Sequence, residues 1–69
     1  MQRVTSSVMN AVDYDPAARR LRIRFNHGGW YTYRNVPEKV AAGLLAAPSH
    51  GRYFHAHIRD HYAFDREAA

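Results

Sequence analysis

The sequence predicts an α+β domain: a three-stranded antiparallel β-meander followed by two short helices packed on one of its faces. Three observations carry that prediction. Residues 20–25 alternate strictly as Arg20-Leu21-Arg22-Ile23-Arg24-Phe25, the period of a strand with one apolar and one polar face. Asn26-His27-Gly28-Gly29 then supplies a turn that tolerates positive φ, and Trp30 to Val36 resumes in aromatic and β-forming residues. Beyond Pro37 the apolar spacing lengthens to that of a helix, with Val40, Leu44 and Ala47 at i, i+4 and i+7.

The elements follow in order. Met1 to Thr5 is expected to fray, and residues 7–14 make the first strand, alternating Val8, Asn10, Val12 and Tyr14 against Met9, Ala11 and Asp13. Asp15-Pro16 ends it, because proline lacks an N–H and aspartate bonds the backbone two residues on. In the central hairpin a three-residue loop His27-Gly28-Gly29 sets Phe25 opposite Tyr31 and Asn26 opposite Trp30. That odd loop places Tyr31 and Tyr33 with Leu21, Ile23 and Phe25, and Trp30, Thr32 and Arg34 beside Arg22 and Arg24; an even loop exchanges the sets. Pro37-Glu38 begins the first helix and Pro48 stops it. Ser49 caps a second helix over residues 50–62, with Phe54, Ile58 and Tyr62 as its buried stripe and Gly51 weakening its first turn. Residues 4–64 make one domain and residues 65–69 a polar tail.

Composition narrows the function classes. At 69 residues the chain buries only ~60% of its unfolded surface, so its nine aromatic residues are wanted for core. No cysteine is present to form disulfides or thiolate metal sites. With no apolar run resembling a signal peptide or a membrane span, a soluble cytoplasmic protein is expected. The net charge is +4, and nine of the ten basic residues are arginine, the side chain suited to bidentate phosphate contacts and to stacking on bases. A genome rich in G and C would also supply alanine and arginine without selecting for binding. Protonating all five histidines would take the charge from +4 to +9, so anion binding is expected to strengthen below pH ~6.5.

Certain residues carry a family resemblance. They are Ser6-Ser7, Tyr14-Asp15, Leu21-x-Ile23-x-Phe25, Gly28 or Gly29, Tyr31-x-Tyr33 and Val36-Pro37, then Leu44-Leu45-x-Ala47-x-Ser49-x-Gly51, Tyr53-Phe54, Ile58-Arg59 and Tyr62. The pattern resembles the KTSC domain, named for the C-terminus of some lysyl-tRNA synthetases and found also as small free-standing bacterial proteins. The resemblance covers residues 4–64. It implies no catalytic residues, and its synthetase fusion implies RNA as a partner.

The strongest candidate surface is the outer sheet face, where Arg20, Arg22, Arg24 and Arg34 flank Trp30, helped by Arg52 and Arg59. Cations beside an exposed ring neutralise phosphates while the ring stacks on an unpaired base. The competing reading is a solvated face on which arginine stems cover Trp30 through cation–π contact. Tyr31 and Tyr33, the family motif, read as core with hydroxyls at the rim. Ser49-His50-Gly51-Arg52 reads as a cap rather than a phosphate cradle. His57 and His61, four apart, could pair on zinc, but no third ligand is evident nearby except Asp60 or His50, and Arg52 and Arg59 oppose a cation, so no metal or cofactor is expected. The scattered acids and serines give no nucleophile with an orienting base, which argues against an enzyme. The expectation is a non-catalytic binding module for RNA or other nucleic acid. The alternative is a protein-interaction or scaffold module docking through the same face or a sheet edge, as a monomer or weak dimer.

Overall fold

The computed structural model describes residues 2–67. Five strands form one antiparallel meander in chain order: β1 (Gln2–Arg3), β2 (Met9–Asp15), β3 (Arg20–Phe25), β4 (Gly29–Tyr33) and β5 (Phe64–Arg66). Helix α1 (Glu38–Ala46) and α2 (His50–Tyr53) lie between β4 and β5 in the chain, and α2 runs on as a π-helical segment, Phe54–Ile58. The α+β class stands, and the sheet has two more strands than the sequence predicts. Residues Gln2 and Arg3, expected to fray, pair with Val12 and Ala11. Phe64, Asp65 and Arg66 pair with Tyr33, Thr32 and Tyr31 where the sequence suggested a tail from residue 65. Both added strands are too short to show a period of their own; the free edges of β2 and β4 recruit them by main-chain hydrogen bonds.

The central hairpin has the expected parity and a different register. Phe25 opposes Gly29, Arg24 opposes Trp30 and Ile23 opposes Tyr31, so the loop is Asn26-His27-Gly28. The register is two residues from the expected one, and a shift of two leaves every side chain on its face. Gly28 and Gly29 both take positive φ, at 134° and 77°, which lets the turn close one residue earlier on each strand. Asn26 then anchors the tip to the chain before β2. Its amide N–H donates to Val8 O at 2.9 Å and its side chain donates to Ser6 O at 2.9 Å and accepts from Asn10 at 3.0 Å.

The first long strand departs from simple alternation. Met9 opposes Phe25 and Ala11 opposes Arg24, so Asn10 is an extra residue, a β-bulge. The bulge brings Met9 onto the same face as Val12 and Tyr14, where unbroken alternation would have opposed them. Met9 and Val12 are fully buried as a result. Asp15 ends the strand as expected, its carboxylate accepting from Ala17 N at 3.0 Å and Ala18 N at 3.3 Å.

The core gathers Met9, Val12, Leu21, Ile23, Tyr33 and Val36 from the sheet side with Ala41, Leu44, Phe54 and Ile58 from the helices. Ser49 caps α2, its hydroxyl accepting from Arg52 N at 3.3 Å. Gly51 belongs there because a Cβ would lie 2.9 Å from Val8 Cγ2. The second helix is shorter than the expected residues 50–62. An Arg59 N–H to Phe54 O bond of 2.8 Å closes a wide π turn, and the chain leaves the helix at Arg59 and turns at Asp60, φ 65°. The residues that follow swing back to the sheet, where Ala63 O accepts from Arg34 N at 2.9 Å and β5 begins.

Candidate nucleic-acid interface

The outer sheet face is built of cross-strand rows, because paired residues in neighbouring strands share a face. One row reads Arg3, Ala11, Arg24, Trp30 across β1 to β4. The next reads Asp13, Arg22, Thr32, Asp65 across β2 to β5. The two rows differ in charge. The first carries two arginines and an indole, with Ala11 small enough to be covered between the arginines. The second balances arginine with carboxylates: Arg22 lies 2.9 Å from Glu67 and 3.8 Å from Asp13, and nearby Arg34 lies 3.3 Å from Asp65. Among the described residues Arg24 has no ion-pair partner. The Arg22 guanidinium stacks over Trp30, 4.4 Å from the ring, so the cation–π cover of the competing reading is present. An open groove of about 720 Å³ at the hairpin end is lined by Arg22, Arg24, Trp30, Arg66 and Glu67 with the turn glycines.

The structure thus brings Arg22, Arg24 and Trp30 together and separates the other predicted residues. Arg20 pairs with Asp15 across β2 and β3. Arg34 follows β4 at the end of the sheet away from the hairpin. Arg52 lines a different hollow with Ser6, Ser49 and His55, and Arg59 contacts His55 Nδ1 at 3.3 Å on the helical side. Sequence reasoning missed Arg3 and Arg66, because both lie in edge strands that carried no pattern. His57 packs on the Tyr53 ring at 4.4 Å, and the π turn ends the helix before His61. Among the described residues no group of three or more His, Asp or Glu is placed to hold a metal ion. No described helix is long and apolar enough to cross a membrane.

The opposite face of β4 and β5 holds a second concavity, of about 390 Å³. The helices pack toward β2, leaving this end of the apolar face uncovered. Phe25, Tyr31, Tyr33, Phe54 and Phe64 line it with rings, and Arg59, Asp60 and His27 stand around them. Phe64 is 53% exposed, while Tyr33 is buried and Tyr31 half-buried. Burial, with Tyr31 beside it, pushes the Tyr33 hydroxyl up to about 12, so it stays protonated at neutral pH.

A model of the KTSC domain matches residues 5–62 of the sequence. The chain belongs to the KTSC domain family. It is 42% identical over 62 residues to a protein of Tsukamurella paurometabola, covering 90% of this chain and 92% of that one. A KTSC domain protein of Yersinia pestis has a crystal structure of the same shape, with TM-score 0.95 and 34% identity, covering 97% of this chain and 94% of that one. The domain is also 35% identical over 60 residues to the lysine–tRNA ligase of Nostoc sp., spanning 87% of this chain and only 11% of the ligase. Within the KTSC domain the Tyr31-x-Tyr33 motif divides between core and cleft, and the Ser6-Ser7 motif makes a turn in which Ser6 Oγ accepts from Val8 N at 3.1 Å.

Proposed function

We propose that this KTSC domain is a non-catalytic module that binds single-stranded RNA through the hairpin end of its outer sheet face. The observation that carries the reading is the open groove at the hairpin end, where Arg24 and Arg66 stand beside a half-buried indole and Arg3 lies farther along the Arg24 row. Guanidinium groups neutralise phosphates, and the ring offers a sequence-tolerant stacking surface for a base. Arg22 enters differently. Its charge is shared with Glu67 and Asp13, so it holds the indole flat rather than meeting phosphate. The synthetase relative supports RNA over DNA as the partner to try first.

The test is a titration with a short oligoribonucleotide, followed by Trp30 emission, the only tryptophan signal in the chain. Binding should quench it and weaken steeply with salt, with a slope near −0.7 per phosphate neutralised. Arg3→Ala and Arg24→Ala should each weaken binding and flatten that slope by roughly one phosphate's share. Unchanged affinity in the double variant would sink the reading. Salt-indifferent binding of a protein instead would favour a docking module.

A further inference from the structure

We propose that the aromatic cleft on the opposite face takes one unpaired base of the same strand, a reading that rests on the proposed RNA-binding role. The cleft has the chemistry of a base pocket. Its rings lie against one another, Tyr31 tilted from Phe64 by 37° at 5.6 Å and Tyr33 from Phe64 by 35° at 5.4 Å, and the exposed side of Phe64 is left as a stacking surface at the mouth. Phe64 leaves half its surface to solvent, whereas the other large apolar side chains among the described residues are buried or partly buried. The lip is polar, which suits the hydrogen-bonding edge of a base better than the apolar anchor of a peptide. Arg59 supplies a positive charge and N–H donors, His27 a ring nitrogen, and Asp60 an acceptor for a ring or exocyclic N–H. The π turn sets that lip, because an unbroken helix would carry Arg59 and Asp60 onward along its axis instead of turning them toward β5.

The cleft also adjoins the outer groove at the hairpin tip. His27 lines the cleft and its neighbours Gly28 and Gly29 line the groove. Arg66 borders the groove while its guanidinium lies 5.9 Å over the Tyr31 ring. One strand passing the hairpin tip meets Trp30 on one side and the cleft on the other.

The experiment is an amide-resonance titration of the isotope-labelled protein with adenosine monophosphate and, separately, with ribose 5-phosphate. The nucleotide should move the resonances of His27, Tyr31, Asp60 and Phe64, and the base-free phosphate should leave them in place. Phe64→Ala removes an exposed ring and should weaken oligoadenylate binding about five-fold or more, with the amide spectrum otherwise kept. Equal response to the two probes, or unchanged oligoadenylate affinity in Phe64→Ala, overturns the proposal. The two readings fail separately. RNA that quenches Trp30 yet leaves the cleft resonances fixed overturns the cleft alone. Cleft shifts with the nucleotide, while Trp30 and Arg24→Ala stay indifferent to RNA, overturn the outer-face row alone. Shifts produced by a tyrosine-containing peptide and not by the nucleotide overturn the cleft in favour of protein docking.

Discussion

Tyr33 is buried where Tyr31, two residues before it, is half-buried, and burial acts on the Tyr33 phenol. Its ring packs edge-on to Phe54 at 5.7 Å in the core, and its hydroxyl is held protonated to about pH 12. The folded state therefore binds a proton that the unfolded chain releases near pH 10. Stability from this group is whole below pH 10 and falls as pH rises toward 12. Ultraviolet titration should show the Tyr33 hydroxyl ionising late, and Tyr33→Phe should flatten the alkaline loss of stability. Leu44 shows the apolar counterpart. It is fully buried, and Leu44→Ala should cost about 2–5 kcal/mol in urea unfolding. In a domain whose total is of the order of 5–15 kcal/mol, that is a severe loss.

Among the elements, α2 is the least self-sufficient. Four α-helical residues do not stabilise themselves, so the Ser49 cap and the packing of Phe54 and Ile58 hold the segment in place. Ser49→Ala should lower stability by about 1 kcal/mol, measured by chemical denaturation. A silent substitution would mean that packing alone sets the helix start. The cap, the apolar stripe and the Asp15 turn were all legible in the sequence, because each depends on a residue and its close neighbours. The bulge at Asn10 and the π turn were not. Each is a one-residue adjustment that serves contacts made elsewhere in the chain: Met9 reaching the core, and the chain reaching β5.

For the whole molecule the informative element is β5. Phe64 packs against Tyr31 and Tyr33, Glu67 N donates to Trp30 O at 2.9 Å, and the Glu67 carboxylate meets Arg22. One short strand therefore joins both faces of the sheet. The exposed ion pair adds little, and the ladder and the rings add most. Truncation after Ala63 should cost roughly 1–3 kcal/mol by the loss of that packing, and should red-shift Trp30 emission. Unchanged stability would show that residues 64–67 add nothing to the fold.

The sequence by itself determined the class, the hairpin with its two faces, and the family. Periods of two and of 3.6, turn glycines and caps are local, and each repeats often enough to be read. Face assignment survived a register error because parity, not exact pairing, decides which side a residue occupies. Only the tertiary structure decided which cations stand free. Arg22, Arg24 and Arg34 are equivalent in the alternating pattern, yet Glu67, Asp13 and Asp65 neutralise two of them across the sheet. Arg3 joins Arg24 through an edge strand of two residues, and the cleft exists because the helices cover one half of the apolar face and leave the other open. Charge pairing and coverage depend on residues far apart in the chain, and no local pattern records them.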